Sequence, residues 1–445
     1  MNAIVSKARN ASSFQVIAFG FAALVLFGTA LLCLPISKTN PASGGFLEAL
    51  FTSCSAVCVT GLVVVNTGTY WSAFGKTVVL VLVQLGGLGV VTVAVAATTL
   101  TGRRIGLRQR DLMRNAVNAP KLGGIVRFAR FVVVFALVAE GIGALLIAPS
   151  FFPDYGIVGG FVMAVFHSAS AFCNAGFDVL DAERPFASMV SYAGDVRAIL
   201  VVSALVVAGG LGFFTWEDLL AGKFRWKNLR TQTKLILSAT ALLIFVPAAF
   251  YFLSEFTEGT VSERILSSLF QSVTARTAGF ASVDEGGLSD ATKATTIVLM
   301  LIGGSPGSTA GGIKTTTAAA LFLELVGNVA KRGETRAFGR SISKRSLSDA
   351  RTILFLYLIA FLFGSLALCL LENLPILDCS FECASALGTV GLTTGITPTL
   401  SVASKIILTF FMYFGRVGAL TLVYAAFDAK RPDAWKSPEV EVMIG

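Results

Sequence analysis

One short pattern occurs four times in this chain and limits its fold more than any other feature. The segments read FTSCSAVCVTGL from Phe51, FHSASAFCNAGF from Phe166, FQSVTARTAGF from Phe270 and FECASALGTVGL from Phe381. Each starts with phenylalanine, runs through small and hydroxyl side chains, and ends in glycine followed by a large apolar residue. The glycines are Gly61, Gly176, Gly279 and Gly391, at offsets of 10, 10, 9 and 10 residues from their phenylalanines and 115, 103 and 112 residues apart. Repetition at a near-fixed period marks one structural unit used several times. A single glycine in an apolar helix reads as a close-packing contact. Four at matched positions point to a shared task.

The chain between these segments is strongly apolar. Eight runs reach the roughly 20 residues that span a bilayer as helix, at 14–35, 74–100, 126–149, 195–215, 233–253, 292–325, 351–371 and 403–427. Within each successive pair lies a shorter stretch, at 45–57, 159–172, 262–275 or 378–388, which suits a re-entrant helix. The first run follows Lys7 and Arg9 and reads as a spanning helix rather than a cleaved signal. Residues 102–130 hold eight Lys and Arg, 223–234 five, 331–351 seven, the tail from Ala429 three and the N-terminus two, which is 25 of the 35 basic residues. All fall on one side of an eight-span topology with both termini cytoplasmic, as the positive-inside rule requires. The other side carries Asp178, Asp181, Glu183, Asp195, Glu255, Glu258, Asp284, Glu285 and Asp290. The expected fold is all-α and integral to the membrane. Four membrane–pore-loop–membrane repeats (eight transmembrane helices, four re-entrant pore helices) surround one pore, with repeats at 1–120, 121–228, 229–345 and 346–445.

Composition removes several functions. Charged residues are 14% of the chain, against about 25% in soluble proteins. The net charge of +9 lies in short blocks beside apolar runs, which excludes a nucleic-acid-binding stripe. The pairs Cys54/Cys58 and Cys379/Cys383 sit in small and apolar surroundings, and His167 is the one histidine, so these thiols read as packing rather than a metal site. An enzyme inside the bilayer would need a catalytic set, and neither HExxH nor paired intramembrane carboxylates occur. No GxxxxGKS/T loop or strand–GxGxxG–helix context is present either, so control by nucleotide would require another subunit.

What the repeated glycines suit is a cation. A cation crossing a membrane must exchange water oxygens for protein oxygens, and backbone carbonyls supply them without a fixed charge that would trap the ion. Glycine permits the dihedrals that turn carbonyls inward. Irregular backbone at membrane depth is tolerated only where it is buried in protein or lines a cavity. The negative C-terminal end of a short helix aimed at that cavity favours a cation there.

With Val59-Thr60-Gly61-Leu62, Asn174-Ala175-Gly176-Phe177, Arg276-Thr277-Ala278-Gly279-Phe280 and Gly388-Thr389-Val390-Gly391-Leu392 in hand, the sequence resembles the Ktr/Trk/HKT superfamily of potassium transporters, most closely its bacterial KtrB-type branch, over nearly its whole length. The fourth segment also resembles the Thr-Val-Gly signature of potassium channels. The resemblance implies a selectivity filter made of Cys58, Val59, Thr60, Gly61, Cys173, Asn174, Ala175, Gly176, Thr277, Ala278, Gly279, Thr389, Val390 and Gly391. Glycine at all four positions goes, in the family, with potassium rather than sodium. The chain departs from the pattern at Cys58 and Cys173, where relatives tend to carry Thr and Asn. The resemblance further implies K+ as the transported ion, a homodimer, and a cytosolic KtrA/TrkA-like ring that binds ATP, ADP or NAD. Any organic cofactor would then sit on that partner and none on this chain. The basic inner loops suit contact with it or with anionic lipid. Whether Na+ is coupled or activates is left open by the residues. The alternative is a sodium-selective or non-selective monovalent cation transporter of the same fold, which serine in place of Gly61 would have favoured. Repeats in one orientation favour a single pore over an alternating-access carrier.

Some groups stand apart from the repeat. The sixth run contains Gly303, Gly304, Ser305, Pro306, Gly307, Ser308, Thr309, Ala310, Gly311 and Gly312, followed by Lys314. Proline removes a helix hydrogen bond and each glycine costs about 1 kcal/mol relative to alanine, so continuous helix is excluded. This stretch is expected to be an intramembrane loop that blocks the pore and moves on opening, and relatives place a gating loop here. Arg416 lies mid-way through the last run, where a charge costs roughly 2.5–3.5 kcal/mol on insertion scales. It is expected to line the pore and work with the loop as the gate. Only the third repeat is expected to have a broken second helix. Arg276 is expected to brace the third filter segment from behind, bonded to carbonyls or an outer acid, and Glu140 to form a helix–helix hydrogen bond.

Overall fold

Apolar backbone away from water must bond internally, and helix is the local way to do so. The structure, a computed structural model, describes residues 12–40, 44–100, 111–114, 124–180, 186, 188–331 and 333–426. Lys7, Arg9, Asp181, Glu183, most of 102–130 and the tail from Ala429 lie outside the described residues. The helices are α1 Ser13–Leu32, α2 Phe46–Cys58, α3 Ala73–Leu88, α4 Val90–Leu100, α5 Ile125–Phe172, α6 Val196–Gly210, α7 Phe213–Ala221, α8 Thr231–Ser254, α9 Val261–Thr274, α10 Asp290–Leu301, α11 Thr315–Val329, α12 Lys344–Glu372, α13 Ile376–Gly388, α14 Val402–Val417 and α15 Ala419–Ala426. A two-stranded hairpin, Arg336–Ala337 with Arg340–Ser341, joins α11 to α12. α5 is two helices in one, kinked at Gly156 (φ 69°). One order of elements therefore occurs four times: a long helix, a short helix ending near a repeated glycine, and a second, interrupted helix.

Among the described residues four helices, α1, α5, α8 and α12, are long and apolar enough to cross a bilayer. Two bent pairs, α6–α7 and α14–α15, reach that length together, at bends of 91° and 94°. Phe19, Leu145, Phe245 and Phe363 are among the large apolar side chains left exposed on these helices. Between lipid and protein interior there is no hydrophobic driving force, so close packing must hold the helices together. Gly28 of α1 and Gly143 of α5 provide it. A Cβ at either would come within 2.4 Å of Ser53 Oγ or 2.5 Å of Ser168 Oγ. Those serines, two positions after the repeated phenylalanine, latch the short helix to the long one. Ser53 donates to Val25 O (2.7 Å), Ser168 to Glu140 O (2.6 Å) and Ser272 to Ile244 O (2.7 Å). The fourth segment has Cys383 in this place.

The four units pack in a closed order. The second helix of each lies against the short helix of the next: α3 on α5, α6 on α9, α10 on α13, and α14 back on α2. All four second helices are interrupted, which corrects the expectation that only the third is. Three of them break at a single glycine of left-handed φ, Gly89 (83°), Gly212 (87°) and Gly418 (91°). Three residues earlier in each, Gly86, Gly209 and Gly415 ride on the last turn of a short helix. A Cβ there would meet Val57 O at 2.0 Å, Phe172 O at 1.9 Å and Leu387 O at 2.2 Å. The motif is Gly-Gly-Leu-Gly twice and Gly-Arg-Val-Gly once.

Gly143→Ala should destabilise the protein by about 1–3 kcal/mol through overpacking against Ser168. Thermal unfolding in detergent checks this, and an unchanged midpoint would contradict the latch.

Candidate functional site

The short helices stop where their backbone turns left-handed. Val59, Asn174 and Thr389 have φ of 58°, 57° and 52°. Val59 N–H donates to Ala56 O (3.1 Å) and Thr60 N–H to Ser55 O (2.8 Å). Asn174 and Ala175 repeat the pair on Ala171 O (3.0 Å) and Ser170 O (2.8 Å), and Thr389 and Val390 on Ala386 O (3.1 Å) and Ser385 O (2.8 Å). This double closure is the Schellman ending, which usually has glycine at the left-handed residue. The third segment, one residue shorter, closes differently: Ala278 N–H donates to Thr274 O (3.0 Å), and Thr277 is the left-handed residue (φ 67°).

Two residues later in every segment φ is positive again, at Gly61 (93°), Gly176 (65°), Gly279 (80°) and Gly391 (100°). These glycines form a closed ring. A Cβ on Gly61 would lie 2.5 Å from Ala175 O, one on Gly176 2.8 Å from Ala278 O, one on Gly279 2.3 Å from Val390 O, and one on Gly391 2.2 Å from Thr60 O. Each would also stand within 3.1 Å of the next glycine's Cα. Four equivalent carbonyls, of Thr60, Ala175, Ala278 and Val390, therefore stand at one ring with no charged side chain in it. Glycine is required twice over, by φ and by the neighbouring backbone. The large residues that follow, Leu62, Phe177, Phe280 and Leu392, are buried and wedge each segment outward.

Sequence reasoning missed the hydroxyls that hold this ring, at Ser55, Ser170, Thr274 and Ser385. Gly61 and Gly391 donate their N–H groups to Ser55 Oγ (3.1 Å) and Ser385 Oγ (3.0 Å). Ser170 and Thr274 instead donate to the carbonyls of Phe177 (2.7 Å) and Phe280 (2.6 Å). The signal was a hydroxyl at the same place in each repeat, lost among the other small residues around it.

Toward the C-terminal ends of α3, α6 and α14, residues 302–314 form a loop that returns on itself. Gly303 N–H donates to Ile313 O (2.8 Å) and Thr315 N–H to Gly304 O (3.0 Å). The loop docks on the α6–α7 break, where Ser305 N–H donates to Gly210 O (2.9 Å) and Phe213 N–H to Gly307 O (2.9 Å). Its far end reaches the ring segments. Thr309 Oγ1 donates to Phe172 O (3.1 Å) and lies 3.3 Å from the Asn174 amide, and a Cβ on Gly311 would meet Thr389 Oγ1 at 2.1 Å. Lys314 Nζ donates to Ala310 O (2.7 Å) and Gly311 O (3.3 Å). Arg416 reaches from α14 to the same loop, donating to Thr309 O and to the carbonyls of Gly86 and Gly87 (2.9 Å) at the end of α3. Among the described residues it has no carboxylate partner. On the side away from the ring, Lys314, Arg416, Ser308, Gly89 and Gly418 line a cavity of about 480 Å³.

The remaining expectations divide. Glu140 accepts from Gln84 Nε2 (2.6 Å), a hydrogen bond between α5 and α3. Cys173 adjoins the same pair, 3.7 Å from Gln84 Oε1 and 3.9 Å from Glu140 Oε1. Cys54 and Cys58 pack side by side with sulfurs 3.8 Å apart. Arg276 is buried beside Thr277, but its Nε has no partner among the described residues, and no ion pair to an acid is found there. The brace expected of it is absent from the described contacts.

A family model described as "Cation transport protein", TrkH, matches residues 7–435. The chain belongs to the TrkH family of cation transport proteins. It is 38% identical over 447 residues to the potassium/sodium uptake protein NtpJ of Enterococcus hirae, covering 98% of this chain and 97% of the relative. It is 38% identical over 437 residues to the Ktr system potassium uptake protein B of Bacillus subtilis, covering 97% and 96%. Its fold matches the crystal structure of the potassium transporter TrkH from Vibrio parahaemolyticus at a TM-score of 0.70 and 21% identity, over 92% of this chain and 85% of that one. The TrkH family transports cations across a membrane by multi-pass proteins, and is not a family of enzymes.

In this TrkH-family chain, Gly279→Ala should lower cation uptake several-fold, because the added methyl would lie 2.3 Å from Val390 O and must push the ring apart. Rubidium uptake by membranes holding equal protein checks this, and wild-type flux would contradict the ring geometry.

Proposed function

We propose that this chain carries potassium into the cell through a gated single-file pore whose filter is the glycine ring. The closed ring of four carbonyls carries the reading. It offers oxygen ligands without net charge, which lets a cation bind and leave. The segments at Cys58–Gly61, Cys173–Gly176, Thr277–Gly279 and Thr389–Gly391 form the filter. In this reading the chain crosses the membrane eight times as four repeats, at 1–120, 121–228, 229–345 and 346–445, with both ends cytoplasmic. The short helices α2, α9, α13 and the second half of α5 enter from outside. Basic residues concentrated at 223–234 and 331–351 support that orientation.

Loop 303–312, Lys314 and Arg416 form the gate. A guanidinium tied to three carbonyls directly beneath the ring is an electrostatic barrier to a cation, and the loop beside it has small side chains that rearrange at low cost. Control comes from a cytosolic nucleotide-binding ring on a homodimer of this chain. The name of the Bacillus subtilis relative, protein B of a "Ktr system", supports a partner subunit. Sodium enters as a dependence of potassium uptake.

A sodium-selective or non-selective transporter of the same fold is the second reading. The Enterococcus relative named for both ions favours it. Glycine at all four ring positions weighs against it.

Two experiments in potassium-transport-deficient cells test the proposal. Gly61→Ser should weaken discrimination against sodium, read as stronger sodium inhibition of potassium uptake; unchanged competition would remove the filter assignment. Shortening the loop within 304–311 should raise potassium flux, and a wild-type rate in a folded variant would sink the gate.

A further inference from the structure

The residue after each repeated phenylalanine is polar and buried: Thr52, His167, Gln271 and Glu382, none more than 1% exposed. Their partners differ sharply. Glu382 Oε1 accepts from the hydroxyl of Thr393 and from Thr394 N–H (3.2 Å), and Oε2 accepts from Thr397 Oγ1 (2.6 Å). Thr393 comes two residues after Gly391, so one buried carboxylate gathers the chain as it leaves the ring. Thr393 Oγ1 in turn accepts from Gly395 N–H (2.9 Å) and lies 2.9 Å from Thr397 Oγ1. In the third repeat Gln271 Nε2 donates to both oxygens of Glu285, at 2.9 and 3.0 Å. The two exit loops touch, since a Cβ on Gly286 would lie 2.9 Å from Thr394 O. Two polar anchors, Gln271–Glu285 on the third repeat and Glu382 on the fourth, thus hold exit loops that pack directly on each other.

In the first and second repeats the side chain at this place is less well bonded. Thr52 Oγ1 and His167 Nε2 lack a partner among the described residues, and His167 Nδ1 meets the carbonyl of Met163, four residues back in its own helix (2.8 Å). Among the described residues, Glu382 holds the exit chain of its own segment with the most bonds of the four.

We propose that Glu382 is a positioning residue that sets ion discrimination, by holding the fourth ring segment against collapse around a smaller ion. This rests on the proposed filter. A carbonyl ring favours the larger cation only while its oxygens keep their number and spacing. A carboxyl group that takes three hydrogen bonds from one short stretch is a stiff anchor, because the stretch cannot shift without breaking several buried bonds at once. Glutamine keeps the shape, and its NH2 group can still donate to Thr397 Oγ1, because a hydroxyl accepts as well as donates. Methionine, of similar length, offers none of the three donors an acceptor.

The test is sodium competition against potassium uptake, normalised to protein in the membrane, with Gly61→Ser run beside it. Glu382→Met should reduce discrimination on the order of tenfold, the scale of about one buried hydrogen bond. Thr397→Val should act in the same direction and less. The double variant should be no worse than Glu382→Met alone, since both act through the same anchor. If Gly61→Ser shifts discrimination while the Glu382 and Thr397 variants only lower the amount of protein, the brace is refuted and the filter stands. If none of the three shifts it, the filter assignment fails and the inference with it.

Discussion

The structure depends on one constraint, which is that backbone carbonyls can be offered to an ion inside a bilayer only if every neighbouring N–H is satisfied within the protein. A strand would do this by pairing and a helix by closing on itself, but neither turns four carbonyls toward one ring. The chain instead ends four short helices with a left-handed residue, spends the following N–H groups on the helix's own last carbonyls, and turns left-handed again at glycine. At Gly61 and Gly391 the remaining N–H goes to a serine one and a half turns back in the helix. The long helices latch the short ones, and the interrupted helices lock each unit to the next.

Much of this was legible in the sequence because it repeats. A phenylalanine-to-glycine offset held at 9 or 10 residues names the ring before any coordinate does. Apolar length located the long helices, with α1, α8 and α12 close to the runs that announced them. The break in the third repeat's second helix was read, and the breaks in the other three were not. Gly89, Gly212 and Gly418 sit inside apolar runs where a single glycine costs little and gives no periodic signal. Their meaning lies in contacts that hydropathy does not contain, such as Gly86 seated on Val57 O. The pattern that would have exposed them is Gly-Gly-Leu-Gly at 86–89 and again at 209–212, with Gly-Arg-Val-Gly at 415–418. Arg276 failed for the opposite reason: a conspicuous charge invited a partner, and the described residues supply none.

That same alignment explains Arg416. It occupies the place held by Gly87 and Gly210 in the first two repeats, immediately after the glycine that rides on the short helix. A long cationic side chain at this position needs no new fold to reach the first and third repeats. Its acceptors are carbonyls already present at the end of α3 and in loop 302–314. The third repeat has Gly303-Gly304-Ser305-Pro306 at the equivalent level, and the proline turns a one-residue break into a loop. Symmetry supplies the ring, and two local departures on the same scaffold supply the loop and the arginine of the proposed gate.

The left-handed residues also say when the ring is made. Val59, Asn174 and Thr389 hold conformations that cost non-glycine residues of order 1–3 kcal/mol each, and Val59 is β-branched, for which such a conformation is rarest. Strain of that kind persists only where the surroundings over-determine it. The surroundings here are the Schellman bonds, the buried side chains of Leu62, Phe177, Phe280 and Leu392, and the Gly-to-backbone contacts around the ring. All of these are protein–protein contacts, so their ordering cost falls on folding, as in other pre-organised sites. In the proposed reading, a ring prepared this way binds a cation weakly and still discriminates.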